Sequence, residues 1–169
     1  MDQSWYLLAP AALFAALLLF RAAIRRLKPA PVERRILIDG SNVMHWKDGT
    51  ADIGIVRTVT QALADQGYTV GVIFDANVGY KLSDRYMNES QLARVLGLKS
   101  QQIMVSPKGQ PADGFLLQAA RDMDAPIVTN DRFRDWQEDF PECAAPGRLI
   151  HGSWRNGAPE LRFSKGKPR

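Results

Sequence analysis

Cysteine and histidine are scarce. Cys143 stands alone, and His45 and His151 are the only histidines in 169 residues. One cysteine excludes an intrachain disulfide framework, and one thiol with two imidazoles cannot build a Cys/His zinc module of the usual spacing. The lone thiol suits a reducing compartment. Also absent are a glycine-rich phosphate loop, a Gly-x-Ser-x-Gly nucleophile elbow and a dinucleotide-binding glycine fingerprint. Those absences argue against P-loop nucleotide hydrolysis, serine hydrolysis and hydride transfer. No internal repeat is present.

Basic residues exceed acidic ones by four, but the excess is not spread evenly. Residues 1–35 hold six basic and two acidic side chains, residues 36–147 hold 10 and 15, and residues 148–169 hold six and one. The chain is an acidic body between two basic ends, not a uniformly basic nucleic-acid binder.

Trp5 to Phe20 is a run of sixteen residues without charge, and only Arg21 interrupts the stretch from Trp5 to Ile24. Twenty helical residues span about 30 Å, the thickness of a bilayer core. Arg21, Arg25, Arg26 and Lys28 follow the run and none precedes it. That order argues against a signal peptide and, by the positive-inside rule, places the short N-terminus outside and the bulk of the chain in the cytoplasm. The expectation is a single-pass protein of the inner or plasma membrane. Its parts are a tail (1–4), a transmembrane helix in membrane lipid (5–24), a basic juxtamembrane linker (25–34), a soluble domain (35–163) and a basic tail (164–169).

Past Arg35, short β-branched runs alternate with helical spacing. Ile36 to Ile38, Thr69 to Phe74, Gln102 to Val105 and Ile127-Val128 read as strands. Residues 52–66, with Ile55, Val59, Ala62 and Leu63 on one face, and residues 88–96, with Leu92, Val95 and Leu96, read as helices. Pro111 suits the first position of a third, whose inward face is Phe115, Leu116, Ala119, Ala120 and Met123. A short helix runs through Trp136, and residues 148–163 form a hairpin about Asn156-Gly157. The pattern predicts an α/β fold: a mainly parallel sheet with helices on both faces.

In such a fold, ligands bind beyond the carboxyl ends of the strands. Asp39, Asp75 and Asp131 end three strands and Asp113 opens the helix after another, so four carboxylates share one rim. Each has a bland explanation, as turn former or as the acid favoured in a first helical turn. Together they would repel, and on a helix Asp131 and Asp135, four apart, would face each other. Clustered carboxylates with few histidines suit Mg²⁺ or Mn²⁺. Such an ion orients a phosphodiester and lowers the pKa of a bound water.

Asp-Gly-Ser-Asn-Val (39–43), the strand ending at Phe74-Asp75, Ser106-Pro107 followed by Ala-Asp-Gly-Phe-Leu-Leu (112–117), and Val-Thr-Asn-Asp-Arg-Phe-Arg-Asp-Trp (128–136) resemble an NYN domain. This is the PIN-like ribonuclease group, and the resemblance is closest to its regnase branch, running from about Arg34 to Phe163. It implies a metal-dependent endoribonuclease acting on single-stranded or looped RNA. It carries catalytic and metal-binding roles onto Asp39, Asp113, Asp131 and Asp135, with Asn42 accompanying the first. Ala112 stands where that branch has a second consecutive aspartate, and the zinc finger of the animal proteins is absent. Asp75, outside the motif, is a candidate to replace the lost charge.

An acidic pocket repels a polyanion, so phosphates need basic neighbours. The candidates are Lys108, Arg132 and Arg134, and Arg162, Lys165, Lys167 and Arg169 in the tail; Arg132 and Arg134 could instead pair with Glu138 or Asp139. Trp46, Tyr80 and Trp154 are candidates to stack bases or to pack the core. Two rival readings stand beside the nuclease: a catalytically weak RNA-binding or scaffolding module at the membrane, and a metal-dependent phosphatase. Whether the domain forms a homodimer is open.

Overall fold

The structure, a computed structural model, describes residues 33–163. They fall in the second of two units into which the chain divides, Met1–Val32 and Glu33–Arg169. The strands are β1 (Arg34–Asp39), β2 (Tyr68–Phe74), β3 (Ile103–Val105), β4 (Ile127–Val128), β5 (Leu149–Arg155) and β6 (Ala158–Arg162). The helices are α1 (Gly40–Val43), α2 (Ile53–Asp65), α3 (Val78–Ser83), α4 (Glu89–Leu96) and α5 (Ala112–Asp122). One six-stranded sheet runs in the order β3-β2-β1-β4-β5-β6, parallel from β3 to β5, with β6 antiparallel at the edge. The expected sheet and its closing hairpin are therefore present. Asn156 (φ 52°) and Gly157 (φ 79°) make the turn with two left-handed residues, as a tight hairpin requires.

Strand alternation sorts side chains to two faces. Ile36 and Ile38 of β1 join a cluster with Ile55, Val56, Val59 and Leu63 of α2 and Leu92, Ala93 and Leu96 of α4. Leu37, between them, faces the other way, against Leu116, Leu117 and Ala120 of α5. Caps fix the helix starts. Asp52 accepts from the Gly54 N–H at 2.7 Å, and Asn88 and Gln91 exchange hydrogen bonds in a capping box.

Several expectations are corrected. In α5, Pro111 is the cap and not the first helical residue. Leu117 is buried, Met123 is 44% exposed, and Phe115 is part-buried but belongs to neither apolar cluster. The helix ends at Asp122, one residue before Met123 could turn inward. The segment through Trp136 is only a 3₁₀ turn (Arg134–Trp136), preceded by Phe133 in the left-handed region at φ 46°. Asp131 and Asp135 are therefore not neighbours on a helical face. Single-pass membrane localisation is also overturned, since no helix among the described residues is long and apolar enough to cross a membrane. Residues 5–24, on which that expectation and its lipid contact rested, lie outside the described residues, as do Lys165, Lys167 and Arg169.

The first turn after β1 depends on one close approach. A Cβ added at Gly40 would stand 2.3 Å from the ring of Phe74, which is fully buried. Gly40→Ala is expected to cost about 1–3 kcal/mol, as overpacking of a filled core does. Urea unfolding measures it; an unchanged midpoint would mean that the Phe74 ring moves aside freely.

Candidate functional site

Parallel strands deliver their carboxyl ends to one rim, and four chain segments meet there. Asp39 closes β1 and caps α1, its Oδ1 accepting from the Asn42 N–H at 3.1 Å. Ile38 of β1 lies opposite Val128 of β4, so the next residues, Asp39 and Thr129, are side by side. The Thr129 hydroxyl donates to Asp39 Oδ2 at 2.8 Å and accepts from the Asp131 N–H at 3.0 Å. Asp131 Oδ1 in turn accepts from the Phe133 N–H at 2.8 Å. That bond helps hold the left-handed Phe133 and the turn beyond it. One buried hydroxyl thus ties the two carboxylates together.

The other ends are tied in the same manner. The Asp75 N–H, just past β2, donates to Ser41 Oγ at 2.8 Å, and the Ala76 N–H donates to Ser106 Oγ at 3.2 Å. Asn42 Oδ1 accepts from Trp46 Nε1 and from the Asn130 N–H, and Asn130 Oδ1 accepts from the Gly152 N–H. His151 Nδ1–H donates to the Thr129 carbonyl at 2.9 Å. The Asn42 amide oxygen is therefore a strut between α1 and the loop after β4. Trp46 and Trp154, expected either to stack or to pack, pack against the first apolar cluster. Tyr80 is 56% exposed.

Electrostatics show which carboxylates sense one another. Burial, the largest cause, pushes the Asp39 carboxyl up to about 6. Hydrogen bonds from Thr129 and Asn42 pull it down, while the charges of Asp113 and Asp75 push it further up. The Asp113 carboxyl is also raised, first by burial, then by Asp131 and Asp75, with Trp136 opposing. Asp113 and Asp75 thus act on Asp39, and Asp131 and Asp75 on Asp113, which links the four into one electrostatic set. Asp135 stands apart from it. It lines an open cleft of about 470 Å³ with Asn42, Asn130, Asp131, Arg132 and Arg134. Ala112 is buried in the second apolar cluster, so it is Asp113, one position on, that senses the other carboxylates.

Among the described residues, no three His, Cys, Asp or Glu side chains are close enough to hold a metal ion as they stand. The donor chemistry nevertheless fits a hard divalent cation. Mg²⁺ is commonly held by one or two carboxylates, with waters and substrate phosphate completing its sphere. Basic side chains flank the acids. Arg132 and Arg134 are exposed and form no ion pair among the described residues, so the expected alternative with Glu138 or Asp139 is not realised. Arg162 pairs in register with His151 and so lies on the rim side of β6. Lys108 is exposed in the loop before α5.

Sequence reasoning missed Thr129, Ser41, Ser106 and Asn130 as organisers. The signal was available for Thr129: a hydroxyl residue directly after a buried strand, one register step from a buried aspartate.

The comparisons with known proteins agree with this geometry. No curated protein matches the chain. Two solved structures of Arabidopsis thaliana nuclear protein-only RNase P 2 (PRORP2) share its fold. One has a TM-score of 0.61 at 15% identity, covering 96% of this chain and 37% of that one. The other has 0.60 at 16%, covering 95% and 36%. The chain spans little more than a third of those proteins. A family model, the Zc3h12a-like ribonuclease NYN domain, matches residues 32–158. Its match takes in every strand but the last four residues of β6 and all four rim carboxylates, and the chain belongs to that family of ribonuclease NYN domains.

Proposed function

We propose that this domain is a metal-dependent endoribonuclease that hydrolyses RNA phosphodiester bonds at the carboxylate rim. The observation that carries the reading is the meeting of four carboxylates from four segments at one rim, where the charges of Asp113 and Asp75 act on Asp39 and those of Asp131 and Asp75 act on Asp113. Such a set is costly unless a cation or a proton relieves it. Asp39, Asp113 and Asp131 would hold Mg²⁺ or Mn²⁺, with Asp75 in the same electrostatic set and Asp135 supporting from the cleft. When bound, the ion supplies an activated water and neutralises charge developing on the phosphate.

The chain's own groups do the rest. Thr129 fixes Asp39 Oδ2 and the Asp131 backbone at once, so the two acids keep one relative orientation. Asn42 holds the far side of the cleft through the Asn130 N–H. Arg132 and Arg134 bind phosphates flanking the scissile bond, with Lys108, Arg162 and the tail lysines Lys165 and Lys167 extending the track. The cleft is open, as a polymer substrate requires and as a lidded phosphatase would not be. A non-cleaving RNA-binding module is the second reading; among the described residues no three candidate ligands stand close enough to hold an ion unaided.

The deciding assay uses the full chain with a labelled single-stranded RNA, with Mn²⁺ or Mg²⁺ and with EDTA, beside Asp131→Asn. Cleavage that needs the ion and falls by more than about 100-fold in the variant, with RNA binding retained, is the expected result. RNA bound and left intact by the wild type would leave the binding module.

Stability in EDTA follows a second expectation. The Asp39 carboxyl, at about 6 in the fold and 3.8 ordinarily, keeps a proton that the unfolded chain has released. Native stability should therefore decline as pH rises from about 4 to 6, by on the order of 2–3 kcal/mol. Glu142, held down to about 2 by Arg121, works in the opposite direction, but only as pH falls through the ordinary carboxylate range. Asp39→Asn keeps an acceptor for the Asn42 N–H, loses the one that Thr129 donates to, and loses the charge. Thermal melts between pH 4.5 and 7 should show the variant gaining on the wild type as pH rises; parallel curves would mean that Asp39 ionises freely.

A further inference from the structure

Beside the carboxylate rim runs a second groove, of about 340 Å³, lined by Gln110, Pro111, Gly114, Phe115, Gln118 and Trp136. We propose that it is a nucleobase subsite, seating by stacking one base of the RNA whose phosphate lies at the rim. The inference rests on the ribonuclease reading and adds to it where the substrate's base goes.

Three observations carry it. First, Phe115 is a part-buried aromatic that belongs to neither apolar cluster. Its position on α5 predicts a core residue, yet it lines an open groove. Second, the groove has a second aromatic in its lining, Trp136, which also packs against the second apolar cluster. Trp136 lies with the edge of its benzo ring over Gly114, where an added Cβ would stand 2.9 Å from the ring, and Phe140 tilts against the indole at 6.1 Å. Glycine at 114 is what lets an indole lie against the helix there. Third, two residues of the groove adjoin residues of the rim and the cleft along the chain. Gly114 follows Asp113 directly. Trp136 closes the same 3₁₀ turn that carries Arg134 and Asp135.

A strand whose phosphate is drawn to Arg134 and the acids would meet, one residue along the chain from Asp135 and from Asp113, a groove lined by two aromatics. Base-on-aromatic stacking tolerates any base, because every base has a π-face. The polar groups present are amides, not charges. Gln118 Nε2 is engaged by Asp122 Oδ1 at 2.8 Å, which leaves its Oε1 to accept from a base edge.

The test uses the full chain and a short labelled single-stranded RNA, together with copies carrying one abasic residue at each position in turn. Binding is read by fluorescence anisotropy in EDTA, where the strand stays intact. The wild type should lose about 5- to 100-fold in affinity for the copy lacking the seated base. Phe115→Leu should lose a comparable factor on intact RNA and be indifferent to that abasic position, while Phe115→Tyr should bind like the wild type. Leucine keeps the apolar bulk and removes the ring, so a folded Phe115→Leu protein that binds intact RNA as the wild type does would overturn the subsite. So would two losses that simply multiply. If Phe115→Leu melts early, Phe115→Tyr combined with the abasic series still decides, because every abasic copy binding equally well would overturn the proposal. Wild-type protein that cleaves RNA with no position-dependent loss removes the subsite alone. Wild-type protein that binds no RNA removes the ribonuclease reading and the subsite with it.

Discussion

The site depends on keeping the Asp39 carboxylate almost out of water. A buried carboxylate is unfavourable unless hydrogen bonds or opposite charge answer it. Here two hydrogen bonds answer, one from the first turn of α1 and one from Thr129 on the neighbouring strand. The same Thr129 hydroxyl then receives the Asp131 N–H, so the bond that makes Asp39 tolerable also shapes the loop that ends in the cleft. Hydrogen bonding is nevertheless only part of the answer, since the carboxyl remains raised to about 6. The residual penalty is one that a proton or a cation would relieve.

The rim is organised by small polar side chains that satisfy backbone groups at strand ends. Ser41, Ser106, Asn130 and Asn42 each accept an N–H that the sheet leaves without a partner. The acids therefore stand on a scaffold whose own polar groups are paired. The surrounding arginines lie outside it, exposed, where they can meet phosphate without neutralising the carboxylates first.

Much of this was legible in the residues. Asp39, Asp75, Asp113 and Asp131 end strands or open a helix, and in a parallel sheet that places them together without any structural knowledge. The hairpin at Asn156-Gly157 follows from turn chemistry alone. Local patterning failed where tertiary packing decides. Residues 131–136 carry helical spacing, but Phe133 is pinned in a left-handed turn by Asp131 and buried in the second cluster. Leu117 is buried in the second cluster while Phe115 is not part of it, a difference that the spacing of apolar residues in α5 does not report. Asn42, expected to accompany Asp39 at the site, is also a strut, which only the positions of Trp46 and Asn130 reveal.

The hydrogen bond between Thr129 and Asp39 joins residues 90 positions apart. β1 emerges first during synthesis and lies at the centre of the sheet, with β2 on one side and β4 on the other. Until β4 is made, Asp39 has no hydroxyl to hold it, and Asp131 does not yet exist. Chains fold in the order in which they are synthesised only as far as their contacts allow. The acidic rim is therefore completed only once the segment that carries Thr129 and Asp131 has been made, 90 residues after Asp39.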